Sequence, residues 1–260
     1  MISSRHLLFF GTAWCQFVAS SLAATTDNTS ISGCDENTDF GPPFNSTGTV
    51  SFVTQDFTHN DGKPWYLSVG LKDKRDTSAA YPGTQTVTGY LSVPGDFVTG
   101  SVTKNTTRLC VYHLGQRNAT ASRDGSCNGV LDDACAKYIH NFQQDSERHE
   151  GECPLLSADE ACGSTIFQLA APMILQSSNC SASAHAALAG VPDAYNSQAI
   201  FDLAWPYGDS KIDSFTAYDA HAWQPNPVLL VFGTKQDQEK DDVVMWDSKL
   251  LCMVPVNVTA

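Results

Sequence analysis

The sequence predicts a mainly β domain, an antiparallel sandwich or barrel-like arrangement with a few short helical inserts, stabilised by disulfides. Short runs rich in β-branched and aromatic residues recur along the chain, and turn-forming residues separate them. Eight cysteines lie beyond an apolar amino-terminal leader, the even count expected of a bridged extracellular chain.

The leader carries one basic residue, Arg5, then a mainly apolar stretch from Leu7 to Val18, then the small-residue exit Ser21-Leu22-Ala23. That order is a cleavable signal peptide over residues 1–23, with an apolar centre too short to span a bilayer comfortably. Cys15 would leave with it, and 237 of the 260 residues would remain. A Thr/Asn-rich arm follows over residues 24–46, and residues 47–260 read as a single β-rich domain without a linker or fixed-period repeat.

The strands come first. Thr49–Val53 is followed by the turn Asn60-Asp61-Gly62-Lys63-Pro64 and then by Trp65–Leu71. Gln85–Val93 closes at Pro94-Gly95, and Arg108–Leu114 completes the first group. The gaps hold no convincing crossover helix, which favours antiparallel pairing. The middle changes period. Leu131, Cys135, Tyr138, Ile139 and Phe142 follow helical spacing within 130–142, and Ser157-Ala158-Asp159-Glu160 has the form of a capping box. The latter predicts a helix carrying Cys162, Ile166, Leu169 and Ala170, ended by Pro172, and a short helix is expected over Ala182–Leu188. Strands return at Ala199–Leu203, Val228–Phe232 and Val243–Trp246.

The mature cysteines, Cys34, Cys110, Cys127, Cys135, Cys153, Cys162, Cys180 and Cys252, predict four disulfides, with Cys127 to Cys135 as the first local pair expected. Six sequons, at Asn28, Asn45, Asn105, Asn118, Asn179 and Asn257, are candidate glycan sites. Loss of Arg5 leaves 14 basic residues against 28 acidic ones, a formal charge of −14. A field of that sign repels nucleic acid and anionic lipid. The expected product is therefore secreted and extracellular, with no nucleic-acid partner and no stable membrane insertion. Its expected partners are a host protein or an extracellular glycan.

Known reaction motifs are absent from the sequence: there is no Gly-x-Ser-x-Gly elbow, no His-Glu-x-x-His helix, no phosphate loop and no Cys-x-x-Cys pair. No cofactor is expected. His140, His149, Glu150 and Glu152 are metal-ligating residue types, but a spacing of nine between the histidines matches none of the common ligand spacings, and no metal is expected. Asp202 and Asp209 would form a glycosidase pair only if folding brought them to a suitable separation.

The strongest polar cluster is Asp219-Ala220-His221-Ala222-Trp223. In an extended segment Asp219, His221 and Trp223 would share one face. There His221 would serve as a general base oriented by a carboxylate, while Trp223 would stack on a sugar or another flat ligand. The competing reading is an inward-packed aromatic with ordinary hydrogen bonds around it. Function therefore divides between binding, with no assigned reaction, and an extracellular glycan-active hydrolase built around His221.

Three patches carry a resemblance: Leu109–Gly115, Cys127–Cys135 and Lys249–Pro255. They look like a poorly characterised group of secreted, cysteine-containing glycoproteins of filamentous fungi. The resemblance implies an extracellular fungal protein, an effector or virulence factor acting at a host or substrate surface. It implies no reaction.

Overall fold

A computed structural model describes residues 40–54, 62–75, 83–99, 107–120, 124–145, 148–150, 153–157, 159–163, 167–169, 172–175, 182–206, 215–235, 242–255 and 257–258. The leader, Cys34, Cys180, Asn28, Asn105, Asn179, Glu152 and Asp209 lie outside them. Every expected strand run coincides with a strand, although Val53 and Leu114, the last residues of two runs, lie just past the strand ends. In chain order the strands are β1 (Ser46–Phe52), β2 (Trp65–Arg75), β3 (Gly83–Pro94), β4 (Thr107–His113), β5 (Arg148–Glu150), β6 (Phe167–Gln168), β7 (Met173–Ile174), β8 (Tyr195–Pro206), β9 (Asn226–Lys235), β10 (Asp242–Met253) and β11 (Asn257–Val258). The helices are α1 (Gly95–Thr99), α2 (Asp133–Asp145), α3 (Asp159–Cys162), α4 (Ala182–Ala186) and α5 (Thr216–Trp223).

The strands form two antiparallel sheets, one ordered β11-β1-β2-β3-β8 and the other β5-β10-β9-β4-β6 with β7 also on β4. Neither sheet curls into a barrel among the described residues, so the barrel-like alternative is not the architecture seen. Short terminal strands end several edges: β11 and β6 are two residues long and β5 three.

Alternation explains the layering. Trp65, Leu67, Val69 and Leu71 on β2 and Val87, Leu91 and Val93 on β3 share one apolar layer with Leu109 and Val111 on β4 and Val228, Leu230 and Phe232 on β9. Side chains two apart point the same way, so each sheet lends one face to this layer. Trp65 meets the Phe232 ring edge-on at 5.3 Å and Phe97 at 4.9 Å. The opposite face of the second sheet, with Cys110, Tyr112, Leu229 and Val231, is covered by Cys135 and Ile139 of α2 and by the loop carrying Cys153 and Leu156. On the outer face of the first sheet Phe44, Tyr90, Leu188 and Ala199 form a third cluster. Residues 40–45 are laid on that sheet: Thr88 Oγ1 donates to the Phe40 carbonyl (2.8 Å) and Lys72 Nζ to the Gly41 carbonyl (3.0 Å).

Three helical expectations change in detail. The helix expected from Val130 starts at Asp133 because Asp132 Oδ1 accepts the Cys135 amide at 2.8 Å, a side-chain cap that defines the first turn. The helix expected to run through Ala170 is a single turn, Asp159–Cys162. Gly163 follows with φ +84°, a stop that a residue with a side chain rarely adopts, and Arg117 Nη2 donates to the Cys162 carbonyl. Phe167 and Gln168 then pair with β4 instead of continuing a helix. The third helix is Ala182–Ala186, two residues shorter than expected.

Three disulfides join the described cysteines: Cys110–Cys153, Cys127–Cys252 and Cys135–Cys162. The expected Cys127–Cys135 pair is not formed. The turn at 128–130 and the first turn of α2 carry Cys135 into the cluster that holds Cys162, whereas Cys127 lies beside the end of β10, where the Cys252 amide donates to the Gly125 carbonyl at 2.9 Å.

Candidate ligand-binding surface around helix α5

The extended segment proposed for Asp219, His221 and Trp223 is the helix α5, and this separates them. Residues two apart on a helix are turned by about 200° and do not face each other, whereas residues four apart lie on one stripe. Tyr218, His221 and Ala222 form the inward face: Ala222 is buried in the inter-sheet core and Tyr218 packs against it. Asp219 and Trp223 are exposed, as is Phe215, whose carbonyl already accepts the Asp219 amide at 2.8 Å. Phe215, Asp219 and Trp223 are spaced by four and form one stripe of aromatic, carboxylate and aromatic. Trp223 is 60% exposed and Phe215 58%, so the inward-packed reading of Trp223 does not hold.

Beneath this stripe is a polar seam at one end of the inter-sheet layer. Pairing registers place Asp73 of β2, Gln85 of β3 and Trp205 of β8 in one row across the first sheet, and side chains of a row share a face. Gln85 Nε2 donates to Asp73 Oδ1 at 3.4 Å. The His221 ring stacks on Trp205 at 4.6 Å and 23°. Gln116, just after β4, donates through Nε2 to the carbonyls of His221 (3.2 Å) and Gln224 (3.4 Å). That orients its Oε1 toward His221 Nδ1, which donates to it. Burial lowers the His221 pKa below the ordinary histidine value, and the Asp73 charge opposes this only in part. His221 is therefore oriented by an amide, and Asp219 points away on the other side of the helix. Asp219 is therefore not the carboxylate that orients His221.

The seam continues inward. His113 Nδ1 accepts the Gly115 amide at 3.1 Å, so its proton is on Nε2, which donates to Asn226 Oδ1 at 3.1 Å. Asn226 Nδ2 in turn donates to the Gln224 carbonyl at 3.3 Å, the same carbonyl that Gln116 reaches. His113 is wholly buried, and desolvation lowers its pKa to about 4, outweighing the hydrogen bond to Asn226 that raises it. His113, Asn226, Gln116 and His221 thus form one neutral chain that fixes the end of α5 to the second sheet. The sequence signalled none of these pairings, because His113 and Asn226 are 113 residues apart and Gln116 and His221 are 105 apart.

A second histidine contact lies on the outer face of the first sheet. His185 Nδ1 is 2.8 Å from Ser197 Oγ, which is 2.7 Å from Ser92 Oγ across the β3–β8 pairing. Both serines are buried, which denies a substrate access to either oxygen, and the contact ties α4 to the sheet. Of the remaining candidates, His140 is exposed on α2, His149 and Glu150 are in β5, and Asp202 is in β8. The described residues hold no group of three or more potential metal ligands. Asn118 is exposed in a loop and Asn45 is exposed with its Oδ1 accepting the Asp73 amide at 2.7 Å, while Asn257 pairs with Thr47 at the sheet edge. No helix among the described residues is long and apolar enough to cross a membrane.

No family model, curated protein or solved structure matches this chain.

Proposed function

We propose that this is a secreted fungal glycoprotein that acts by binding an extracellular glycan, with the Phe215–Asp219–Trp223 stripe as the contact surface and the two sheets, read as a sandwich, as its scaffold. The observation that carries the reading is an exposed tryptophan on a helix whose opposite face is locked to both sheets. Such a ring costs little entropy to immobilise on binding. An indole face accepts the apolar face of a sugar ring, and the Asp219 carboxylate one turn away accepts hydroxyl hydrogen bonds. Phe215 and Trp223 are separated by about 12 Å of helical rise, a span suited to a chain of sugars rather than a single one. The acidic surface turns the protein away from polyanions and toward neutral polysaccharide. Location at a host or substrate surface, as an effector, rests on the leader, the sequons and the resemblance of the three patches.

A neutral-glycan array followed by calorimetry tests the reading. Wild-type protein should bind at least one neutral oligosaccharide, and Trp223→Ala and Phe215→Ala should each weaken it by about 10-fold or more, about 1.4 kcal/mol, without loss of fold. Wild-type protein that binds no glycan, or a folded Trp223→Ala protein with unchanged affinity, would remove the proposal.

A further inference from the structure

Leu155 is 77% exposed, the most exposed large apolar side chain described, yet both of its neighbours are buried. A single exposed leucine needs no explanation by itself. What distinguishes this one is how its backbone is held. Two residues before it, Cys153 is bridged to Cys110 in β4, which pairs on both sides within the second sheet. The carbonyl of Pro154 accepts Tyr112 Oη at 2.7 Å and Gln168 Nε2 at 3.2 Å. The amide of Leu156 donates to Gln168 Oε1 at 3.1 Å. One side-chain amide therefore brackets Leu155 on both sides, and Gln168 is itself paired with Tyr112 in the sheet. Leu156 is anchored among Tyr112, Cys135, Cys162 and Leu229 in the apolar cluster below. The Cys135–Cys162 bridge ties α2 to α3 in the same cluster.

We propose that 153–157 is a protease-inhibitory loop, with Leu155 as the side chain that enters the specificity pocket of a serine endopeptidase whose pocket is apolar. Such an enzyme selects its substrate by the residue before the scissile bond, and a hydrophobic slot takes a leucine. A loop that is already ordered by a bridge, a proline and internal hydrogen bonds forgoes most of the entropy cost that a flexible substrate incurs on binding. Slow turnover follows from the same geometry. The enzyme's serine oxygen adds to the Leu155 carbonyl carbon and passes its proton to the enzyme's histidine. Collapse breaks the Leu155–Leu156 bond, and that proton goes to the departing Leu156 amine. With the amine held by Gln168 and by the buried Leu156 side chain, it stays beside the acyl carbon and reforms the bond faster than water enters. This surface is formed by elements other than α5, and the inference is independent of the glycan reading.

The test is inhibition of chymotrypsin and trypsin acting on small peptide substrates, with the full-length oxidised protein as inhibitor. Wild-type protein should inhibit chymotrypsin reversibly near one-to-one stoichiometry and leave trypsin unaffected. Leu155→Lys, a change at an exposed position, should weaken chymotrypsin inhibition by about 30-fold or more and create trypsin inhibition. Gln168→Ala, shown to be folded by circular dichroism, should be cut between Leu155 and Leu156 at least about 10-fold faster than wild type. The proposal is overturned if wild-type protein fails to slow chymotrypsin, if it is digested at that bond without slowing the enzyme, or if Leu155→Lys leaves the inhibition profile unchanged.

Discussion

Mild acid should destabilise this protein well before its carboxylates titrate, and His113 is the reason. In the folded state its ring is wholly buried and its pKa is about 4, whereas in an unfolded chain it is about 6.5. Between those values the unfolded chain carries a proton that the folded chain lacks, so lowering the pH favours unfolding. The penalty is absent above about pH 6.5, grows as pH falls and levels off below about 4. From pH 7.5 to 5.0 this one group should remove about 2 kcal/mol of stability. His221, also shifted downward by burial, acts in the same direction. Urea unfolding at a series of pH values measures the slope directly. His113→Gln keeps an amide donor near Asn226 and removes the titration, so its stability should fall less steeply between pH 7.5 and 5.0 whatever its absolute value. Parallel wild-type and variant slopes would show that His113 is not buried and neutral as described.

Trp223→Ala should change unfolding free energy by less than about 0.5 kcal/mol in the same urea assay, because the ring is largely exposed; a loss of about 3 kcal/mol would mean that it packs into the core. Gly48→Ala should be strongly destabilising, by about 1–3 kcal/mol or more, since an added Cβ would lie 2.0 Å from the Val254 carbonyl oxygen, a backbone atom with no rotamer to yield. Native thermal unfolding with no shift would contradict that approach of β1 to the chain after β10. If the protein is exported as proposed, removal of the leader with Cys15 leaves Cys34 and Cys180 for a fourth bridge beside the three seen, and reduction without alkylation should then add about 8 Da to the intact mass. A gain of about 6 Da, with two thiols titrating in the native protein, would refute the fourth bridge.

Much of the fold is legible in local chemistry. Trp65–Leu71 and Val228–Phe232 are read as strands from their own residues, because β-branched and aromatic side chains favour a pleated, half-buried surface wherever they occur. Helix α2 is legible for the same kind of reason, since Cys135, Tyr138, Ile139 and Phe142 recur at its period. The site is not legible in this way. Asp219, His221 and Trp223 look like one face when the segment is taken as extended, and only the helix shows that His221 turns inward while Asp219 and Trp223 turn out. Spacing of two is compatible with either conformation, and α5 has few strong local signals: its cap residue Phe215 makes no side-chain cap.

What the residues by themselves determine is the set of strand-forming segments, the acidic charge, the cysteine complement and the candidate aromatic. Tertiary structure decides the pairings: Cys127 with Cys252 rather than Cys135, His113 with Asn226, Gln116 with His221, and Gln168 around Leu155. These contacts join residues on different elements, most of them far apart in the chain, and their geometry is set by strand register and layer packing. A one-residue change of register would turn every side chain of a strand to the opposite face, so no local pattern can specify which distant partner each of these groups meets.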